Sequence, residues 1–167
     1  MLSIIIPAKN ESAALGLFLE SLRGKYRDAE IIVVDDGSSD QTSDIAIAAG
    51  CRAIRHPYSK GNGAAIKTGA RHANGDVLVF MDGDGQHRPE DIPRLLAKLD
   101  EGYDMVVGAR DGAGQASFHR GFANGLYNRL ASWMVGHRVR DLTSGFRAAR
   151  REKFLEFLYL LPNGFSY

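Results

Sequence analysis

Short runs of aliphatic and β-branched residues alternate along the chain with stretches in which apolar residues recur every three to four positions. The first pattern reads as strand and the second as amphipathic helix. Strands are predicted over residues 2–7, 30–35, 52–56, 76–81 and 105–108, and helices over residues 12–23, 40–49, 64–73 and 89–100. Ile4-Ile5-Ile6, Ile31-Ile32-Val33-Val34 and Val77-Leu78-Val79-Phe80 are apolar on both faces. Parallel strands covered by helices above and below have that character. The repeated strand–helix–strand order predicts an α/β fold, a mostly parallel Rossmann-like sheet with helices on both faces.

Punctuation between these segments is consistent with the same reading. Ser12 is placed to cap the first helix, Gly50 follows the second, and Pro89 with Glu90 and Asp91 suits the first turn of the fourth. After Gly108 the alternation lapses into Gly112-Ala113-Gly114, and a helix-like stretch follows over residues 120–136. No closing element is read around Pro162-Asn163-Gly164, so residues 1–167 are expected to form one domain truncated at its carboxyl end.

A chain of 167 residues, 44% apolar and 25% charged, has the size and make-up of one globular domain. It has no apolar run of the roughly 18 residues that span a bilayer and no leader pattern before the first strand, which predicts a cytoplasmic segment. Cys51 stands alone, which excludes an internal disulfide and a cysteine zinc site and suggests a small core residue. The net charge of +1 conceals an asymmetry, with nine Lys and Arg against four acids from Arg110 onward and twelve against sixteen before it. A basic final third suits anionic ligands or a phospholipid surface, and equally a set of solvated helix faces. Aromatic and basic residues do not interleave, which speaks against nucleic acid as a partner.

In an open parallel sheet, ligands bind beyond the carboxyl ends of the strands. The residues there are strongly polar: Lys9, Asn10 and Glu11 after the first strand, Asp35 to Ser39 after the second, and Asp82-Gly83-Asp84-Gly85-Gln86 after the fourth. Ser39 and Asp40 could equally cap the following helix. Asp82 and Asp84, one glycine apart, repel each other unless a cation or hydrogen bonds hold them. With the Gln86 amide oxygen they suit Mg²⁺ or Mn²⁺ carrying a diphosphate. An EF-hand is excluded, because its sixth and twelfth positions hold His87 and Pro93. Gly61-Asn62-Gly63 lacks the third glycine of a dinucleotide fingerprint, and either a phosphate cradle or a tight turn into a helix accounts for it. The five histidines lack metal-ligand spacing and read as surface or capping residues, with His87 alone beside the acidic site.

Taken together, Ile4-Ile5-Ile6-Pro7-Ala8-Lys9-Asn10-Glu11, Val33-Val34-Asp35-Asp36-Gly37-Ser38-Ser39-Asp40, Met81-Asp82-Gly83-Asp84, Gly108-Ala109-Arg110 and Asp141-Leu142-Thr143-Ser144-Gly145-Phe146-Arg147 resemble the motifs of family 2 glycosyltransferases of the GT-A fold. Within that family they resemble the dolichyl-phosphate mannosyltransferase and bacterial polyprenyl-phosphate sugar transferase branch. The resemblance implies that Pro7, Lys9, Glu11, Val34 and Asp36 line a nucleoside pocket, with Asp82 and Gly83 beside the nucleotide sugar. It makes Asp84 and Gln86 metal ligands and Asp82 a ribose contact or part of the metal shell. Arg110 and Arg120 become phosphate partners, and Thr143, Ser144 and Arg147 belong to the acceptor side. Lys9 departs from the aromatic residue often found at its position and puts base stacking in question.

The expected reaction is a single displacement with inversion, moving a sugar from a UDP- or GDP-linked donor to a polyprenyl phosphate-type acceptor at the cytoplasmic face of a membrane. In it the cation neutralises the leaving diphosphate, and Asp84, Arg110 and Asp141 are the candidate catalytic residues. Asp141 serves as general base toward a hydroxyl acceptor, as the residue orienting the Arg147 or Thr143 loop toward a phosphate, or simply as a turn-former before Thr143 and Ser144. A sugar-nucleotide pyrophosphorylase and a non-catalytic nucleotide-binding module are the competing readings. The first is expected to carry a glycine-rich basic loop where this chain has Ala8-Lys9-Asn10-Glu11.

Overall fold

The computed structural model describes residues 1–83, 87–108 and 144–164. Strands β1 (Leu2–Ala8), β2 (Glu30–Asp35), β3 (Arg52–Arg55), β4 (Val77–Phe80), β5 (Met105–Val107) and β6 (Arg147–Arg150) form a single sheet in the order β3-β2-β1-β4-β6-β5. β1 pairs in parallel with β2 and β4, and β2 with β3. The sheet is therefore mostly parallel, as the doubly apolar strands require. β6 runs antiparallel between β4 and β5. This strand departs from the sequence reading, and its composition explains why. Ala148 and Ala149 lack β-branched side chains, yet they are 0% and 1% exposed, because pairing on both sides rather than propensity makes this segment a strand.

Helices α1 (Ser12–Lys25), α2 (Thr42–Ala48), α3 (Asn62–His72), α4 (Ile92–Asp100) and α5 (Arg151–Phe157) cover the sheet. Alternation along β1 divides the core. Ile4 and Ile6 join Leu15, Phe18, Leu19 and Leu22 of α1 and Ile92, Leu95 and Leu99 of α4 on one face. Ile5 points the other way, with Ala65, Ile66 and Ala70 of α3. Cys51 is buried with the first group, as expected of a core residue. On the α3 face Phe80 packs on Phe154 of α5, ring centroids 4.7 Å apart.

The start of α1 differs from the expected Ser12 cap. The helix begins at Ser12 itself, and its free N–H groups find acceptors on the neighbouring loop: Ser12 N–H donates to Asp40 and Glu11 N–H to the Thr42 hydroxyl. Asp40 also accepts the Thr42 N–H at the start of α2, so one carboxylate serves two helix ends. The Thr42 hydroxyl and the Ser12 bond hold the Asp40 carboxyl well below its ordinary range. Pro89–Asp91 forms a 3₁₀ turn leading into α4 rather than its first α-helical turn. No helix among the described residues is long and apolar enough to cross a membrane.

α3 approaches the sheet through small residues. A methyl group at Gly69 would overlap the Ile5 Cγ2 and stand 3.3 Å from that of Val34, whereas one at Gly24, on the exposed side of α1, would meet nothing. Gly24→Ala is expected to raise stability by about 0.5–1 kcal/mol from helix propensity. Gly69→Ala is expected to lower it by about 1–3 kcal/mol from overpacking, and urea unfolding of both variants checks the opposite signs.

Candidate functional site

A cleft of about 510 Å³ opens beyond the carboxyl ends of β1, β2 and β4. One wall is Pro7, Ala8, Lys9 and Glu11, continuing β1, and Asp36 follows β2. Ser59 and Gly61 come from the turn between β3 and α3, Asn62 and Ala65 from the start of α3, and Asp82 and Gly83 from the segment after β4. The structure thus brings together Pro7, Lys9, Glu11, Asp36, Asp82 and Gly83 from the sequence-derived set. Asp84, Gln86, Arg110, Arg120, Asp141 and Thr143 lie outside the described residues.

Asp36 is 4% exposed, and both its oxygens are engaged by the protein. Oδ1 accepts from His56 Nδ1 at 2.7 Å and from the Lys60 N–H at 2.8 Å. Oδ2 accepts from the Ser59 hydroxyl at 2.7 Å and from the Gly61 N–H at 2.9 Å. Burial by itself would raise the pKa of this carboxyl. The bonds from His56, Lys60, Ser59 and Gly61 outweigh it and bring the pKa down from 3.8 to about 2. Lys9 extends the network, its Nζ donating to Ser59 Oγ at 3.0 Å.

Gly61 has φ 99°, and a side chain there would lie 2.9 Å from the Gly164 Cα, so only glycine suits this corner of the wall. The Asn163 carbonyl accepts the Ala64 N–H near the start of α3, and Lys67 Nζ donates to Asn163 Oδ1. Asn62 Oδ1, in the cleft wall, is buried and has no hydrogen-bond partner among the described residues.

At the other end of the cleft, His87 Nε2 lies 3.0 Å from Asp82 Oδ2, with the Asp82 side chain 34% exposed. The His87 ring stacks on Phe146, centroids 5.2 Å apart and planes 18° apart. A Cβ on Gly145 would stand 2.7 Å from Asp82 Oδ1, so the Ser144-Gly145-Phe146 segment lies directly against this carboxylate. A side chain at this position would have to push the Asp82 carboxylate aside.

Three expectations change. Val34 is fully buried in the core with Ile5 and Ala65, because strand alternation turns it toward α3 and away from the cleft. Ser144 is 0% exposed, with its hydroxyl accepting the Phe146 N–H and its carbonyl accepting Arg147 Nε–H, so it shapes a turn and offers no surface to an acceptor. His56 is neither a surface nor a capping residue: it is buried between Asp36 and Thr68, its Nε2 2.9 Å from Thr68 Oγ1. Its isolation in the sequence gave no signal, since both partners are more than ten positions away.

A cleft at the strand ends of a mostly parallel sheet, bordered by Asp82 and Gly83, is the arrangement of an α/β domain of the GT-A kind. Residues 3–158 match the model of Glycosyl transferase family 2, and the chain belongs to that family. Glucosyl-3-phosphoglycerate synthase from Mycobacterium tuberculosis, in complex with phosphoglyceric acid, is similar with TM-score 0.74 and 29% identity, covering 91% of this chain and 57% of that one. The same enzyme in complex with Mn²⁺ and UDP-glucose gives TM-score 0.70 at 29% identity, covering 91% and 56%. Mannosyl-3-phosphoglycerate synthase from Rubrobacter xylanophilus, at 22% identity, TM-score 0.75 and coverage of 92% and 54%, supports the fold alone. The chain spans a little over half the length of these proteins. They are phosphoglycerate glycosyl transfer enzymes by name, and so do not represent the polyprenyl-phosphate branch that the motifs resemble.

The Asp36 network sets an acid limit. Its folded pKa lies below its unfolded value, so its contribution is complete above about pH 4 and disappears as the pH falls through about 2. Asp36→Asn is expected to cost on the order of 2 kcal/mol at pH 7. The gap from wild type should narrow across that acid window in unfolding titrations at stepped pH.

Proposed function

We propose that this chain is the donor-binding part of a metal-dependent glycosyltransferase that moves a sugar from a nucleotide sugar to a phosphate-bearing acceptor. The observation that carries the reading is the cleft itself, which sets the Lys9, Glu11 and Asp36 cluster at one end and Asp82 at the other. Family membership and the complexes of the mycobacterial enzyme with UDP and with Mn²⁺ and UDP-glucose support it. Uridine is accordingly the proposed nucleoside, with GDP the alternative.

Asp82 fits a hard divalent cation: it is a carboxylate at the cleft edge, partly open to solvent, with Oδ2 hydrogen-bonded to His87. Asp82, Asp84 and Gln86 are the proposed ligands of Mg²⁺ or Mn²⁺, which would neutralise charge on the departing diphosphate. Pro7, Lys9, Glu11 and Gly83 would flank the nucleotide, and Asn62 Oδ1 offers it an acceptor in want of a donor. Lys9 brings a positive charge in place of an aromatic face, which favours phosphate or ribose over base stacking. Arg110 and Arg120 would screen phosphates, while Asp141 with Thr143 and Arg147 would position the acceptor.

Polyprenyl phosphate at the cytoplasmic face of a membrane is the proposed acceptor, on the strength of the Asp141–Arg147 motif. Phosphoglycerate is the second reading, favoured by the mycobacterial relative. A phosphate acceptor is already anionic near neutral pH, so the protein's task is to orient it and offset its charge rather than to remove a proton.

Calorimetric titration of UDP and GDP, with Mn²⁺ and with chelator, tests the donor site. Binding that requires metal and falls at least about tenfold in Asp84→Ala, the loss of one charge-assisted ligand, is the expected result. Equal binding with and without metal would overturn the metal assignment, and no nucleotide binding by the folded chain would overturn the donor reading. Transfer from UDP-glucose to polyprenyl phosphate or to phosphoglycerate separates the two acceptors.

A further inference from the structure

His56 sits outside the cleft lining yet touches the residue that organises it. It follows β3, is 5% exposed, and has both ring nitrogens engaged by side chains from other elements. Nδ1 is 2.7 Å from Asp36 Oδ1, and Nε2 is 2.9 Å from the Thr68 hydroxyl on α3. The ionised Asp36 is an acceptor only, so Nδ1 carries the proton in this bond, while Nε2 is bonded to the Thr68 hydroxyl. The imidazole thus fixes the carboxylate from one side and is itself fixed from the other.

What Asp36 holds in turn is the cleft wall. Its Oδ1 takes the Lys60 N–H beside the histidine, and its Oδ2 takes the Ser59 hydroxyl and the Gly61 N–H. Rotation of the carboxylate would release all three, because the three donors need both oxygens in their present positions.

We propose that His56 is a positioning residue for the nucleotide cleft, which acts through Asp36 to hold the Ser59–Gly61 turn in its binding shape. The proposal rests on the reading of the cleft as a nucleotide site. Its two parts, the clamp and the binding consequence, are measured separately.

The test pairs amide hydrogen exchange at Lys60 and Gly61, followed by NMR on the full chain, with calorimetric titration of UDP and Mn²⁺. His56→Phe keeps a flat ring but removes both bonds, and His56→Asn keeps an N–H near the Nδ1 position. Thr68→Val removes only the far anchor and serves if His56→Phe does not fold. In His56→Phe, exchange at the two amides should rise about tenfold or more, as for the loss of a bond to a charged group, while core amides of β1 stay unchanged. UDP affinity should fall by about the same factor. His56→Asn should stay within about threefold of wild type on both measures, and Thr68→Val should fall between the two.

Unchanged exchange at Lys60 and Gly61 in Thr68→Val and in a folded His56→Phe overturns the clamp, whatever binds. Faster exchange with unaltered UDP affinity overturns the positioning role. Faster exchange in a protein whose wild type binds no nucleotide overturns the nucleotide reading of the cleft while the clamp stands.

Discussion

A carboxylate withdrawn from water needs donors, and Asp36 at the end of β2 finds them on a segment more than twenty positions away. The demand runs both ways. The Lys60 and Gly61 amides precede α3, where helix geometry leaves N–H groups without partners, and the ionised side chain supplies acceptors for them. Loss of that charge would leave a buried group poorly paired and the turn without its anchor. The cleft wall, the start of α3 and the Lys9–Ser59 contact therefore share one electrostatic centre.

The framework was legible in the sequence because it rests on pattern. Ile4, Ile5 and Ile6 can be buried on alternating sides only if both faces of β1 are covered, and that single fact demands a parallel sheet with helices on each side. The strand-end residues followed from the same logic, which is why Lys9, Glu11, Asp36 and Asp82 converge as expected. β6 was not legible, since its alanines carry no strand signal and its identity comes from partners on both sides. The Ser12 cap was misplaced for a related reason: a local motif was overridden by Asp40 from another loop. Val34 illustrates a third limit, because adjacency to a polar motif says nothing about which face of the strand a residue occupies.

Histidine was the hardest residue to read. An imidazole is informative through its two partners, and those of His56 lie on β2 and α3, which only the fold brings within hydrogen-bond reach. His87 was different, since Asp82, five positions before it in the sequence, is also beside it in space. Its ring also lies on Phe146, so the turn after β4 leans on the segment entering β6.

That last contact ties the two halves of the site together. β6 enters the sheet antiparallel to β4, with Arg147 opposite Phe80, so the residues before β6 arrive at the place where β4 releases the chain into Asp82. Gly145 then lies against the Asp82 carboxylate, which a Cβ there would displace, and Ser144 is buried to make the turn. The Ser144-Gly145-Phe146-Arg147 stretch is thus constrained as packing around Asp82 before any acceptor is considered. The antiparallel register of β4 and β6 therefore fixes where this stretch meets the Asp82 edge of the cleft, so one pair of strands, rather than two independent loops, sets that edge.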